Sequence, residues 1–123
     1  MKKFPKLAVV PLVALLAACA GGGTGGPSAE AVMSPTKGNS ASGTVSFRQE
    51  GDNVVVVARI SGLTPGAHGF HIHEKGDCSA PDATSAGGHF NPSGKSHGHP
   101  DHADHHAGDM PQLTADATGN ASL

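Results

Sequence analysis

The sequence predicts an all-β fold built around one small core. Of its 123 residues, 18 are Gly and 9 are Pro, whereas 4 are Phe and none is Tyr or Trp. This composition is typical of a chain with many turns and an aliphatic core. Segments that alternate apolar and polar residues between clusters of turn residues are the second observation. The length allows one domain and is too short for a second sizeable core.

The first element predicted is an export signal over residues 1–18. A basic head of three lysines precedes an apolar run over residues 7–18, which is the layout of a secretory signal. The run is too short for a membrane span, which needs about 20 residues. The "LAAC" that ends at Cys19 resembles the lipobox of bacterial lipoproteins. That resemblance implies lipidation of Cys19 and a protein exported and anchored to a bacterial membrane, on its periplasmic or cell-surface side. The alternative is an ordinary secretory signal with a chance cysteine.

A flexible tether is predicted next, over residues 19–29. Its "AGGGTGGPS" has no apolar periodicity and is rich in Gly. The folded domain is then expected over residues 30–123. The formal net charge of −2 at pH 7 does not favour a nucleic-acid partner.

The domain begins with a predicted β-hairpin. "SGTVSFRQ" alternates, with Val45 and Phe47 on one face, and "NVVVVARI" is rich in β-branched residues, with "EGD" as the turn between them. Turn residues at Pro65 and Gly66 precede "GFHIHE", a predicted third strand over residues 69–74. Strand patterning then disappears as far as position 109. "TADATGNASL" indicates a further strand beginning after its Gly-Asn turn.

The nine histidines, all in the second half of the chain, are the candidate site residues. On a strand, His71 and His73 lie two apart and therefore on one face, where both rings can bind one metal ion. His68 lies an odd number of positions from both, so it is predicted to be a structural residue bonded to backbone, with a ligand role as the alternative. The "GGHFNP" loop supplies His89, and the segment after it supplies more histidines and Asp109. Imidazoles with one carboxylate and no thiolate suit Zn²⁺ and Cu²⁺.

Several linked motifs resemble the copper/zinc superoxide dismutases. They are "GFHIHEKGDC" and "SAGGHFNP", followed by His97, which lies eight positions after His89, and by "HAGD", whose His106 lies nine positions after His97. The resemblance covers about residues 30–123. It implies a Greek-key β-sandwich, or flattened barrel, with a long metal-binding loop. The complete family has eight strands, of which about five to six are expected here.

The resemblance also implies an enzyme that dismutates superoxide to O₂ and hydrogen peroxide. Its copper ion is alternately reduced and oxidised, while zinc is structural. The implied copper ligands, which are also the catalytic residues, are His71, His73 and His89. The implied zinc ligands are His89, His97, His106 and Asp109, so that His89 bridges the two metals.

Cys78 occupies the position of the first cysteine of the family's disulfide. The other cysteine is Cys19, predicted to carry lipid, so Cys78 has no expected partner in this chain. The family pattern continues beyond Leu123 with a fourth copper histidine, an arginine beside the copper and the second cysteine. We therefore expect an incomplete form of the domain with impaired activity. A homodimer is left open.

Two alternatives to an enzyme concern the segment "HGHPDHADHH". In the first, the protein is a cell-surface lipoprotein that binds or buffers zinc or copper, because His99, His102 and His105 match no ligand of the family. In the second, the segment is a solvated polar loop that binds no metal.

Overall fold

A computed structural model describes residues 25–123 as two antiparallel sheets and one short 3₁₀ turn. The predicted signal and Cys19 lie outside these residues, as does all of the predicted tether before position 25. The strands are β1 (Ser28–Met33), β2 (Ser42–Glu50), β3 (Asn53–Ser61), β4 (Gly66–His68), β5 (Leu113–Ala115) and β6 (Ala121–Ser122), and the 3₁₀ turn is Thr84–Ala86. Across residues 25–123, no helix has the length and apolar character needed to cross a membrane.

The predicted hairpin is confirmed as β2 and β3. The two strands pair in register from Ser42 opposite Ser61 to Glu50 opposite Asn53. A two-residue turn joins them, and its first residue, Gly51, has a φ of 59°, which glycine adopts without steric cost. Val45 lies on the buried face of β2, as its alternation predicts.

Strand β1 was not predicted from the sequence. It pairs with β2 from Ser28 opposite Arg48 to Met33 opposite Gly43, and all six of its residues are exposed. Its first two residues fall within the predicted tether. The segment "SAEAVM" has one β-branched residue, so its own preference for a strand is weak. Backbone pairing along the edge of β2 forms the strand instead.

The predicted third strand over residues 69–74 is wrong in extent. The strand here is β4, which ends at His68 and pairs with β5. Beyond it, His71 and His73 form isolated bridges, to Asp109 and His89 respectively. The partners of this segment are two separate stretches of loop, each of which supplies too few bonds for a continuous ladder. The strand expected near the end of the sequence is confirmed as β6, which pairs with β3.

One apolar core joins the two sheets. It consists of Val45, Ala58, Ile60, Phe70, Leu113, Ala115 and Ala121, all buried. Phe70 belongs to this core and His71 follows it directly, so the core fixes the start of the segment that carries the first metal-binding candidates. The rest of the long region between β4 and β5 lies beside this segment and carries the remaining candidates.

Candidate metal centre

Three loop segments meet at a closed ring of backbone hydrogen bonds. The N–H of Phe90 donates to the carbonyl of Ile72, the N–H of Ile72 to that of Gly108, and the N–H of Gly108 to that of Phe90, each at 2.8 Å. A Cβ placed on Gly108 would lie 2.4 Å from the Ile72 oxygen, so only glycine fits there. The residues flanking this junction, among them His71, His89 and Asp109, are thereby brought together.

Asp109 is the central acceptor of the site. Its side chain is 1% exposed. One carboxylate oxygen, Oδ2, accepts the backbone N–H groups of Gly98 at 3.1 Å and His106 at 2.9 Å. The other, Oδ1, lies 3.0 Å from the Nδ1 atoms of both His89 and His97, and 3.4 Å from Nδ1 of His106. Three imidazoles therefore converge on one oxygen.

These contacts keep Asp109 ionised. Burial opposes the charge, but the N–H groups of His106 and Gly98 and the rings of His89 and His97 outweigh it, and they hold the pKa of the Asp109 carboxyl well below its usual range. The site thus presents a fixed negative charge at the point where the imidazole nitrogens meet.

The His89 ring is the centre of the histidine cluster. It stacks on His71 with ring centroids 3.9 Å apart. The rings of His73, His97 and His106 each lie 5.3 Å from it, centroid to centroid. His89 thus neighbours every other ring of the predicted ligand set. Because its Nδ1 faces Asp109, its Nε2 is the nitrogen left for the opposite side.

The rings of His71 and His73 both lie next to the His89 ring. Burial, followed by the neighbouring His89 ring, lowers the pKa of His71 and favours its neutral form, which has a lone pair available for a metal. The N–H at Nδ1 of His73 donates to the carbonyl of Gly87 at 2.9 Å, which leaves the lone pair of Nε2 free to bind a metal ion.

The donor set suits a transition metal. Within residues 25–123, one group of histidine, cysteine and acidic residues has its donor atoms all within 4.8 Å of one another, and it consists of His71, His89, His97 and Asp109. Three imidazoles and one carboxylate are the ligand chemistry of zinc and copper sites. The group takes His71 from the predicted copper set and the rest from the predicted zinc set. Among the other predicted ligands, Nδ1 of His106 lies 3.3 Å from Nδ1 of His89, and the ring of His73 lies 5.3 Å from that of His89, centroid to centroid.

The structure separates the remaining candidates from this cluster. Nε2 of His68 lies 2.7 Å from the carbonyl oxygen of Thr64, the backbone contact predicted for a structural histidine. Cys78 is exposed and forms no disulfide within residues 25–123.

The sequence reasoning missed two glycines that build the site, Gly98 and Gly108. Gly98 donates to Asp109 and also leaves no room for a side chain, since an added Cβ would lie 2.2 Å from the carbonyl oxygen of Asp104. Their positions beside candidate ligands, in "HGH" and "HAGD", were the available signal.

Residues 41–123 match the model of the family described as copper/zinc superoxide dismutase (SODC). The match extends from just before β2 through β6 and includes every histidine and aspartate of the metal centre.

Proposed function

Because the chain belongs to the copper/zinc superoxide dismutase family, we propose that it converts two superoxide anions and two protons into O₂ and hydrogen peroxide. Copper and zinc are the cofactors of this family, and the cluster in this chain has the donor atoms to hold metal. The single observation that carries the proposal is the convergence of His71, His89, His97 and Asp109 within 4.8 Å. Such a set can hold a metal ion, which favours a metal site over a solvated polar loop.

We assign the ligands to two adjoining sites. Copper would be held by His71, His73 and His89, and zinc by His89, His97, His106 and Asp109. The central position of the His89 ring supports a bridging role, and the buried, ionised Asp109 supports a closed zinc site. Bound copper supplies the redox chemistry, since it can accept an electron from one superoxide and give it to the next.

The remaining chemistry belongs to the protein's own residues. Asp109 orients His89 and His97 through its Oδ1 oxygen, and backbone N–H groups fix the carboxylate in turn. We propose that His89 holds and returns a proton at Nε2, the ring nitrogen that does not face Asp109. An imidazole suits this step because its proton affinity lies near neutrality.

The test is superoxide decay followed by stopped-flow absorbance with metal-loaded protein. Excess chelator in the assay removes free copper, which would consume superoxide by itself. We expect His71→Gln to abolish the protein-dependent rate and to reduce copper content. His68→Gln is the matched control, because His68 contacts a backbone carbonyl and lies outside the cluster. Equal rates in the two variants would refute the assignment.

We further propose that the protein is exported and anchored to a bacterial membrane through lipid on Cys19. The support is the sequence alone, with a basic head, an apolar run over residues 7–18 and "LAAC". Expression in a bacterium with labelled fatty acid should label the full chain and leave Cys19→Ser unlabelled, while Cys78→Ser is labelled normally. Equal labelling of the full chain and of Cys19→Ser would contradict the proposal.

A further inference from the structure

A small closed loop projects from the metal centre and carries two histidines that the centre does not use. The loop closes where Gly98 meets Asp104, because an added Cβ on Gly98 would lie 2.2 Å from the Asp104 carbonyl oxygen. The ammonium group of Lys95 donates to the carbonyl of Ala103 at 2.7 Å and fastens the loop on its other side. The loop is therefore held in shape by a close backbone approach at one side and a side-chain hydrogen bond at the other.

A turn inside this loop places His99 and His102 side by side. The backbone N–H of His102 donates to the carbonyl of His99 at 2.8 Å, which closes a four-residue turn with the two histidines at its ends. Their ring centroids are 5.9 Å apart with the ring planes at 57°. Two nitrogens bound to one ion at about 2.0–2.1 Å each can be separated by up to about 4.2 Å. Small rotations of these exposed rings meet that requirement.

The contacts of His99 involve one ring nitrogen, Nδ1. It accepts the backbone N–H of Asp101 at 3.3 Å and lies 3.4 Å from Oδ2 of the same residue. In the other tautomer Nδ1 carries the proton and donates to this carboxylate instead, which leaves the lone pair of Nε2 free for an ion. A carboxylate behind a metal-binding histidine is the usual arrangement for fixing its tautomer and orientation.

We propose that His99 and His102 form a second metal site on the protein surface, which takes one divalent transition-metal ion and prefers Cu²⁺ to Zn²⁺. Imidazole nitrogens favour Cu²⁺ in the general order of divalent-ion affinities, and water completes the coordination at this exposed position. Asp101 acts as a positioning residue for His99. The proposal does not depend on dismutase activity, because neither ring belongs to the inner cluster, which is the group of His71, His89, His97 and Asp109.

The first test is copper stoichiometry of the full chain by equilibrium dialysis and elemental analysis. We expect the double variant His99→Gln/His102→Gln to bind one ion fewer per chain than the unchanged protein, and His68→Gln to bind the same number. Asp101→Asn should keep the ion but weaken its binding about tenfold, the low end of the effect of such supporting carboxylates. Unchanged stoichiometry in the double variant would overturn the proposal.

The second test locates the ion by NMR, with the inner cluster first filled with Zn²⁺. A small fraction of an equivalent of paramagnetic Cu²⁺ should broaden the ring signals of His99 and His102 before those of His105 and His68. Equal broadening of all four rings would mean that the histidine segment binds copper diffusely, and would refute a defined site. The dismutase assay reports only on the inner cluster. Failure of the proposed dismutase activity can therefore be distinguished from failure of the proposed site at His99 and His102.

Discussion

Replacement of Gly108 by alanine should damage the fold and the metal centre together. A Cβ at this position would lie 2.4 Å from the Ile72 carbonyl oxygen and 3.1 Å from Phe90, whereas ordinary contact begins near 3.4 Å. The segments must separate by about 1 Å, which stretches hydrogen bonds of 2.8 Å to about 3.8 Å, beyond the range of a real bond. Two bonds of about 1 kcal/mol each would be lost. With the accompanying backbone shift, we expect the free energy of unfolding to fall by about 2–4 kcal/mol.

The assay is thermal unfolding of the apo-protein, followed by measurement of zinc content after reconstitution. A loss of this size lowers the Tm by roughly 10 °C or more in a domain of this length. Zinc content should also fall, because the junction holds the backbone on both sides of the cluster. Gly88→Ala is the matched control, since Gly88 adjoins His89, has no left-handed φ and has nothing within 4 Å of an added Cβ. If Gly108→Ala had the Tm and zinc content of Gly88→Ala, the backbone junction would not be what assembles the site.

Three further predictions concern the core, the structural histidine and acid stability. Leu113 is 4% exposed, so Leu113→Ala should lower the free energy of unfolding in urea by about 2–5 kcal/mol. Val54 is exposed and serves as the control. A loss of the same size for Val54→Ala would argue against the core as defined. His68→Gln should leave the metal content unchanged and lower stability by about 1 kcal/mol through the lost contact with Thr64, and a lower metal content would instead make His68 a ligand. Hydrogen bonds from the Thr118 side chain and from nearby backbone N–H groups lower the pKa of Asp116, so its contribution to stability is complete above the unfolded pKa of about 3.9 and is lost as pH falls through the folded pKa. A plot of Tm against pH should therefore be flatter below pH 4 for Asp116→Ala than for the unchanged protein, and identical slopes would contradict the role of this carboxylate.

Local patterns in the sequence were sufficient for the hairpin. The alternation around Val45 and the β-branched run that follows act over a few residues, and a two-residue turn containing Gly51 fixes their register. The same local logic located the structural histidine, because its odd spacing from His71 and His73 set it apart from them. The pattern failed for β1, whose formation depends on the free edge of β2 rather than on its own residues.

The extent of the third strand was predicted wrongly for a related reason. Alternation predicted His71 and His73 on one face, and both rings lie beside that of His89, but a strand also needs a continuous partner. Here the partners are two loop segments that contribute isolated bridges at Asp109 and His89. No property of "GFHIHE" itself reveals how much partner backbone the fold supplies.

The sequence by itself determined the family, the metal chemistry and the residues able to take part, because residue types and their linked spacings are properties of the chain. Only the tertiary structure decided which donor atoms meet, that Asp109 is buried and kept ionised, and that Gly98 and Gly108 must be glycines. Those features depend on backbone segments far apart in the chain approaching within hydrogen-bond distance. Such an approach is set by the packing of the whole domain, which no single segment encodes.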